Sequence, residues 1–359
     1  MGHWVRKNVF FPIFLFLAIL CFQVPFQIHA ATGPKELNIP ILCYHRIIPV
    51  PTSPYDLTPE QLEAHFQYFK SNGYTPITVS QFLEYRKKPA LFPEKPVVLT
   101  FDDGSRSQYT QALPLLKKYG FKATFYIFTN AMRGTKKLWL SWDEVMEISR
   151  AGMDIGSHTV GHQYLTVRKN MEEKQYQAWL VKEIGDSKKI LEEKLNIRVN
   201  SLAYPFGLYD SAVEAVAIKA GYSAMLNING GSNLIGENPY RLKRRIMVKS
   251  IGPKSLAAIL SQKAFELEPL SPADTEIVGA IPVIRFRVKA PVIDTVNFEM
   301  DSYQASLKPD THGVYSYEIH GKLRSGFHTV IIRAKDAGNN SYLNSWSFHY
   351  RPAESPGQK

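Results

Sequence analysis

Residues 97–104 have the sequence VVLTFDDG, and this stretch decides the fold class of the chain. Its first five residues form a continuous apolar, β-rich run, which is typical of a strand buried on both faces of a parallel sheet. Asp102 and Asp103 then stand at the end of that strand, where the active sites of parallel α/β folds collect. The alternative interpretation is structural: a strand that ends in an Asp-Gly turn.

On both sides of this stretch, short β-rich runs alternate with amphipathic helical stretches, from residue 39 to about residue 260. The predicted strands are 39–44, 97–101, 123–128, 154–156, 199–204 and 223–228. The predicted helices are 58–73, 112–119, 141–152, 172–195 and 210–220. Repeated βα units predict a parallel sheet or a barrel. Because about seven units fit this length, where a full barrel needs eight, we expect a distorted, incomplete (β/α) barrel.

The pattern changes after residue 265. Residues 266–275 look like a linker, and period-two alternation dominates beyond them, for example over 283–288, 314–319 and 329–334. Short alternating strands separated by turns predict a small all-β sandwich. The stretches 326–330 and 334–339 resemble late strands of bacterial immunoglobulin-like or fibronectin-like modules. The expected organisation is an N-terminal segment (residues 1–31), an α/β domain (32–265), a linker (266–275) and this module (276–353).

Composition excludes several classes of protein. The chain has 359 residues, of which 45% are hydrophobic and 21% are charged, so it is not a disordered, collagenous or polytopic membrane protein. Lys and Arg number 43 against 32 Asp and Glu, which gives a net charge of +11. This excess favours anionic wall polymers or a membrane surface as partners. No zinc finger, basic helix or RNA-binding aromatic motif accompanies it, so we expect no nucleic-acid partner.

The first 31 residues resemble an export signal. Arg6 and Lys7 form a positively charged start, residues 9–21 are almost wholly apolar, and a small-residue cleavage site follows. An uncleaved membrane anchor is the alternative, since the apolar run continues weakly towards the length of a membrane span. Either interpretation predicts an exported bacterial protein that is secreted or associated with the cell surface. Cys43 is then the one remaining cysteine, so we expect no internal disulfide and a buried thiol.

A second polar cluster follows another predicted strand. Residues 157–162 have the sequence SHTVGH, which places His158 and His162 four residues apart. Two imidazoles and a carboxylate suit Zn²⁺, which binds nitrogen and oxygen ligands and keeps an open position when it is catalytic. Two polar histidines in a surface loop are the alternative interpretation. An Asp pair and a His pair at two strand ends of the same sheet favour the metal site.

Two motifs together carry a family resemblance. Residues 100–104 (TFDDG) and 157–162 (SHTVGH) resemble the motifs of NodB-type polysaccharide deacetylases, carbohydrate esterase family four, and residues 203–207 (AYPFG) match the third motif of that family. The resemblance spans about residues 40–260. It implies metal-dependent removal of acetyl groups from a polysaccharide.

The resemblance also implies roles for single residues. It implies that a divalent metal is bound by three side chains, those of Asp103, His158 and His162. Zn²⁺ fits this ligand set, and Co²⁺ or Ni²⁺ are alternatives. Asp102 resembles the general base of the family. In the third motif, the backbone N–H of Phe206, after Pro205, resembles the oxyanion donor, and Tyr204 and Phe206 are expected to wall the substrate pocket.

Two departures from the family pattern concern the third and the late motif. The third motif usually begins with Arg, but this chain has Ala203 there. The late motif usually ends in a His that serves as general acid. The next histidine after His162 is His312, which lies in the predicted β-module, so the usual acid is missing from its place.

Two residues are candidates to compensate for these departures. Arg245, in the stretch RRIMV, is predicted to orient Asp102 by a bidentate contact, with a basic surface strand as the alternative. His45, in the stretch YHRI, is predicted to have an active-site role as acid, ligand-orienting group or sugar contact. A structural hydrogen bond is the alternative for His45. The other spare histidine, His65, is expected to be solvated.

Residues 44–47 and 203–207 both resemble one branch of the family, which deacetylates β-1,6-linked poly-N-acetylglucosamine in biofilms and also lacks the third-motif arginine. The sequence therefore predicts an exported, metal-dependent N-deacetylase of an N-acetylglucosamine polymer, foremost the β-1,6-linked one. Peptidoglycan and chitin oligomers are the alternative substrates. Two hypotheses from other classes stay open: a carbohydrate-binding protein on a decayed deacetylase scaffold, and a wall-adhesion protein that acts through its β-module.

Overall fold

The computed structural model describes residues 1–3, 37–133, 137–168, 170–289 and 295–352. The chain divides into two compact units, Met1–Lys35 and Glu36–Lys359, and every element below belongs to the second. The predicted export signal, apart from its first three residues, lies outside the described residues. None of the described helices is both long and apolar enough to cross a membrane.

A curled parallel sheet forms the centre of the α/β domain. In the described part of the chain its eight strands are β1 Ile41–Tyr44, β2 Thr75–Ile77, β3 Pro96–Phe101, β4 Thr124–Ile127, β5 Asp154–Ser157, β6 Ser201–Ala203, β7 Ala224–Leu226 and β8 Arg245–Ile246. They pair in the order β7-β6-β5-β4-β3-β1-β8, with β2 also on β3, and every pairing is parallel. A bridge between Leu226 and Leu242, just before β8, brings the two ends of the sheet together. The prediction of a distorted, incomplete (β/α) barrel is confirmed.

Helices connect the strands. Those that the structure describes are α1 Pro59–Ser71, α2 Val79–Lys87, α3 Leu113–Tyr119, α4 Trp142–Arg150, α5 Glu173–Leu180, α6 Ser187–Leu195, α7 Ser211–Lys219 and α8 Pro253–Ser261. Capping explains where two of them start, because Thr58 and Ser141 each exchange hydrogen bonds with the residue three positions on. The long helix predicted over 172–195 is interrupted by a π-helical turn at Val181–Asp186, between α5 and α6.

Strand β3 is buried along its whole length. Val97, Leu99 and Phe101 belong to a large apolar cluster that includes residues of α1, α3 and α4. Val98 points to the opposite face and packs in a second cluster, with Ile41 among its members. Both faces of the strand are therefore covered, as the apolar run predicts, and polar side chains emerge where the strand ends.

The C-terminal part of the described chain is all-β. Its strands are β9 Glu266–Ser271, β10 Ile277–Val278, β11 Val283–Lys289, β12 Val296–Met300, β13 Tyr303–Leu307, β14 Val314–Glu318, β15 Gly326–Lys335 and β16 Ser341–Tyr350. They form a five-stranded sheet, β10-β16-β15-β12-β13, and a three-stranded sheet, β14-β11-β9, which share one apolar core. The expected all-β C-terminal module is confirmed.

The prediction of a linker over residues 266–275 is wrong for the first half of this stretch. Glu266–Ser271 is strand β9, which pairs antiparallel with β11. The stretch has a period-two pattern within its acidic sequence. Leu267 packs against the core of the module, while the glutamates on either side of it form ion pairs with basic residues of β11.

The module packs directly on the loop after β7. Ser345 and Ser347 of β16 donate hydrogen bonds to the Gly230 carbonyl oxygen at 2.6 Å and to Asn229 Oδ1 at 2.9 Å. The backbone N–H of Lys263, just after α8, donates to β16 as well. These contacts join the module to the barrel within one compact unit.

Candidate metal centre and active site

The ends of neighbouring strands bring the predicted site residues together. Asp102 and Asp103 follow β3, His158 and His162 follow β5, and His45 follows β1. Because these strands run parallel, their carboxyl ends meet at one edge of the barrel. This is why motifs that are far apart in the sequence form a single site.

Asp103, His158 and His162 form a compact cluster. Oδ1 of Asp103 lies 3.5 Å from Nε2 of His158 and 3.4 Å from Nε2 of His162. Asp103 and His162 both have left-handed backbone conformations, with φ of 77° and 52°. These sharp turns of the chain let three side chains from two loops converge on one point.

The geometry of this cluster fits a divalent metal ion. Bonds of about 2.0–2.1 Å in a tetrahedral site separate neighbouring ligand atoms by about 3.3–3.4 Å, close to the distances measured from Asp103. Nδ1–H of His158 donates to the Ala203 carbonyl oxygen at 2.7 Å, which selects the tautomer with a free Nε2 lone pair facing the cluster. Three protein ligands are also the number that catalytic zinc sites use.

The two carboxylates make the cluster favourable for a cation. Burial alone lowers the pKa of His158, but the neighbouring carboxylates of Asp103 and Asp102 raise that pKa above its ordinary value. Burial and the neighbouring His158 lower the pKa of His162 to about 4. The His162 imidazole is therefore neutral at pH 7, the state in which it binds a metal.

A buried arginine holds the carboxylate of Asp102. Nη1 and Nη2 of Arg244 donate to Oδ1 and Oδ2 of Asp102, both at 2.7 Å, in a bidentate ion pair. Arg244 is fully buried, and its Nε donates to the Asn227 carbonyl oxygen at 3.0 Å. Nη1 also donates to Thr100 Oγ1 at 3.2 Å. The contact predicted for Arg245 is therefore made by its neighbour.

The assignment of this contact to Arg245 is wrong because Arg244, directly before β8, faces Asp102, and successive residues of an extended chain point to opposite sides. Arg245 pairs with Leu42 of β1 and is half-buried. Burial and the nearby charge of Arg333, in β15, lower the pKa of Arg245. Two consecutive arginines enter β8, and the position of the strand decides which one faces Asp102.

Further contacts fix Asp102 as a charged group. Burial raises the pKa of Cys43, so its thiol stays protonated and donates to Oδ2 of Asp102 at 3.4 Å. The side-chain amide of Gln108 donates to the Asp102 carbonyl oxygen. Burial alone would raise the pKa of Asp102, but the charges of Arg244 and His158 hold it well below its ordinary value. Asp102 is therefore an ionised carboxylate, with Oδ2 3.8 Å from Nε2 of His158.

His45 lies beside this carboxylate. A ring nitrogen of His45 is within 4.8 Å of an Asp102 carboxylate oxygen and of the Cys43 sulfur. Its Nδ1 is buried and has no hydrogen-bond partner among the residues that the structure describes. The ring also packs near Tyr55, with 5.7 Å between centroids. The structure thus places His45 beside Asp102, and no described residue makes a hydrogen bond to its Nδ1.

His65 is buried, so the expectation that it is solvated is wrong. Its Nε2–H donates to the Ile251 carbonyl oxygen at 2.8 Å, and its Nδ1 lies 3.2 Å from the Tyr44 hydroxyl, which donates to it. These two partners satisfy both ring nitrogens of a neutral imidazole. Tyr44 lies in β1 and Ile251 in the segment before α8, so the pattern of α1 by itself does not reveal the burial.

Phe206 lies beside the metal cluster. Its backbone is left-handed, with φ of 59° and ψ of 9°. Its ring contacts the ring of His162, with 4.7 Å between centroids. Thus Phe206, the residue that the resemblance singles out in the third motif, borders the predicted metal ligands.

Tyr204 does not wall the pocket, so that expectation is wrong. Its side chain is fully buried, stacks on Tyr209 at 4.6 Å and donates its hydroxyl to the Tyr240 carbonyl oxygen at 3.4 Å. Pro205 is buried as well. Tyr204 directly follows β6 and packs into the core, while the turn at Phe206 returns the chain to the surface.

A buried glutamate in the π-helical turn supports the loop between the two histidines. Oε2 of Glu183 accepts from the Gly161 N–H at 2.7 Å, and its carbonyl oxygen accepts from the Val160 N–H at 3.0 Å. The loop is strained, because Thr159 and His162 both have left-handed φ angles. The sequence pattern does not reveal Glu183, because this residue lies in a run of charged helical residues that resembles a solvated helix.

Glu183→Ala is expected to weaken Zn²⁺ binding by about 10–100-fold, the usual cost of losing a group that orients metal ligands. Without the carboxylate, the strained loop between His158 and His162 loses a hydrogen bond that holds it. Competition against a chromophoric chelator gives the dissociation constant. Glu193→Ala, at an exposed position in α6, is the matched control. An unchanged Zn²⁺ affinity in Glu183→Ala would contradict this role.

Comparisons with known proteins agree with the fold and the site. The family model "Polysaccharide deacetylase" matches residues 91–225, which contain Asp102, His158 and Phe206. A protein of Bacillus subtilis (strain 168), YxkH, described as a polysaccharide deacetylase, is 32% identical over 213 residues, which are 58% of this chain and 71% of that protein. The chain therefore belongs to the polysaccharide deacetylase family, carbohydrate esterase family four, a family of hydrolases.

Two further similarities support the same assignment. A poly-beta-1,6-N-acetyl-D-glucosamine N-deacetylase of Staphylococcus aureus (strain MSSA476) is 28% identical over 198 residues, which are 53% of this chain and 67% of that protein. The structure of Streptococcus pyogenes deacetylase PplD in complex with acetate aligns with a TM-score of 0.57 and 26% identity, over 63% of this chain and 99% of that chain. The family resemblance that the three motifs indicate is confirmed.

Proposed function

We propose that this protein is an exported, metal-dependent N-deacetylase that hydrolyses the acetamide groups of poly-β-1,6-N-acetylglucosamine. The observation that carries the proposal is the ion pair with Arg244, which holds Asp102 as an ionised carboxylate 3.8 Å from His158 of the metal cluster. A base beside three metal ligands is the arrangement that metal-assisted hydrolysis of an amide requires.

The reaction needs a base for the attacking water and stabilisation of the charge on the acetamide oxygen. A divalent ion bound by Asp103, His158 and His162 would supply a Lewis acid for the carbonyl and lower the pKa of water. Asp102 takes the proton of the attacking water. The buried partner of Asp102 keeps it charged and fixes its orientation, so the base stays in place through the reaction.

Two other residues are assigned to the remaining tasks: one stabilises the negative charge on the acetamide oxygen, and the other protonates the leaving amine. The backbone N–H of Phe206 donates to the developing oxyanion, since its left-handed turn borders the metal cluster. His45 is the general acid that protonates the departing amine. It lies next to Asp102, and its Nδ1 has no hydrogen-bond partner in the described part of the chain. His45 thus takes the task of the late histidine that this chain lacks.

The metal and the polymer are proposed on different grounds. Zn²⁺ fits the ligand set, with Co²⁺ and Ni²⁺ as alternatives. The β-1,6-linked polymer is supported by the similarity to the Staphylococcus aureus enzyme and by the stretches 44–47 and 203–207. Peptidoglycan and chitin oligomers are the alternative substrates.

The place of action is part of the proposal. The signal-like residues 1–31 support export, and the net charge of +11 supports attachment to an anionic wall polymer or membrane surface. Fractionation of the producing bacterium into medium, wall, membrane and cytoplasm tests this. A protein confined to the cytoplasm would contradict export.

Acetate release by the purified protein is the direct test. Poly-β-1,6-N-acetylglucosamine, chitin oligomers and peptidoglycan are each incubated with Zn²⁺ or with a chelator. We expect the β-1,6-linked polymer to release acetate, the chelator to abolish release and added metal to restore it. His45→Gln is expected to slow release by about 10²–10⁴-fold, the usual contribution of a general acid.

The other outcomes of this assay assign the function differently. Faster release from peptidoglycan or chitin would change the substrate and keep the reaction. No release from any polymer by metal-loaded protein would contradict the proposal and favour a carbohydrate-binding function on a decayed scaffold.

A further inference from the structure

Exposed aromatic side chains are rare in the described part of this protein, and they lie around one site. Among the Phe, Tyr and Trp residues that the structure describes, three are exposed: Tyr55 at 48%, Tyr164 at 46% and Phe206 at 38%. All other aromatic side chains in these described ranges are buried or half-buried. An aromatic face left in water forgoes the free energy of burial, so three such faces around one site need an explanation.

Each of the three contacts a residue of the proposed active site or its neighbour. The ring of Tyr55 lies 5.7 Å from that of His45. The ring centroid of Phe206 lies 4.7 Å from that of His162. Tyr164 stacks on Phe206, with 3.8 Å between the centroids and 7° between the ring planes. Tyr164 therefore has one face against Phe206 and the remainder of its ring towards solvent.

The order of the strands separates these aromatic groups. Tyr55 lies after β1 and Tyr164 after β5, with Asp103 after β3 between them in the sheet order β5-β4-β3-β1. Phe206 lies after β6, one strand beyond β5. The metal cluster is thus flanked by Tyr55 on one side and by the Tyr164–Phe206 pair on the other.

Two flat apolar faces on either side of a reaction centre suit a ligand that carries such faces at regular intervals. A pyranose ring has an apolar face of C–H groups that packs on an aromatic ring, and a polysaccharide repeats it at every unit. We propose that Tyr55 and the Tyr164–Phe206 pair are two sugar-stacking platforms, which bind the units before and after the N-acetylglucosamine that loses its acetyl group. The inference rests on the proposed function and adds that the enzyme acts on internal units of a chain.

The platforms predict a dependence on chain length. Covering one face of an aromatic ring removes about 50–60 Å² from water, which corresponds to about tenfold in affinity. With β-1,6-linked N-acetylglucosamine oligomers of one to six units, kcat/KM of the wild type is expected to rise steeply up to three units, with the middle unit deacetylated first. Mass spectrometry of the products locates that unit.

Tyr55→Ala and Tyr164→Ala are each expected to lower kcat/KM for the hexamer, through KM, by about tenfold more than they lower kcat/KM for the monomer. Tyr164→Phe keeps the aromatic ring and is expected to retain the wild-type kcat/KM for the hexamer. Ile218→Ala is the control. This exposed residue lies beside Asn200, which directly precedes β6, so it is at the amino ends of the strands, away from the site. Rates that do not depend on length, or variants that slow the monomer and the hexamer equally, would overturn the platforms.

Binding separates this inference from the proposed reaction. Calorimetric titration of the hexamer into metal-free protein measures the platforms without catalysis. Weaker binding by Tyr55→Ala and Tyr164→Ala supports them even if no substrate releases acetate. Equal affinity of wild type and both variants overturns them even if the deacetylase is active.

Discussion

Asp102→Asn is expected to lower kcat for acetate release by about 10²–10⁴-fold, because an amide cannot take the proton of the attacking water. The substitution keeps the size of the side chain and leaves Asp103, His158 and His162 in place. Bound metal is therefore expected to remain stoichiometric. Two quantities measured on the same preparation test this prediction: the rate of acetate release at saturating polymer concentration, and the content of bound metal.

The control for Asp102→Asn concerns folding. The substitution leaves the charge of Arg244 buried without its counter-ion, so we also expect lower stability. Thermal unfolding must show that the variant is folded at the assay temperature. A folded, metal-loaded variant with the kcat of the wild type would exclude Asp102 as the base.

Arg244→Met is expected to lower the free energy of unfolding by about 3–5 kcal/mol, because it leaves the Asp102 carboxylate buried without its partner. Both side chains of the pair are almost completely buried, so water does not replace the lost contact. Activity is expected to fall as well, since the base loses the group that keeps it charged and oriented. Urea unfolding and acetate release measure the two effects.

The adjacent Arg245 supplies a matched control for Arg244→Met. Arg245→Met removes the same charge one residue along, where the side chain is half-buried and has no carboxylate partner among the residues that the structure describes. We expect a much smaller loss of stability. Arg244→Lys keeps the charge but not the planar fork, so an intermediate result is expected. Equal effects of Arg244→Met and Arg245→Met would contradict the assignment of the ion pair.

The departures from the family pattern leave the geometry of the site intact. The third motif has Ala203 in place of the usual arginine, yet the contact made at this position uses the backbone: the Ala203 carbonyl oxygen accepts from Nδ1–H of His158. The guanidinium that the base needs comes from Arg244. Any side chain at position 203 leaves the contact with His158 available, so the absence of the arginine does not indicate a decayed site.

Local pattern was enough to predict the barrel and the outline of the site. The uninterrupted apolar run of β3 requires burial on both faces, and polar residues directly after a strand fall at the carboxyl edge of a parallel sheet. Asp102, Asp103, His158 and His162 could therefore be found from sequence, since each lies within a few residues of a strand end. His45 was placed at the same edge by the same argument.

Contacts between distant segments could not be predicted in this way. The ion pair of Asp102 and Arg244 joins residues 142 positions apart, and choosing Arg244 over Arg245 requires the position of β8 in the barrel. The burial of Tyr204 and the support of the histidine loop by Glu183 likewise depend on what packs against each residue. Hydrophobic periodicity determines which elements form and where they end. The partner of each side chain is decided by the register and packing of elements that meet only in the folded chain.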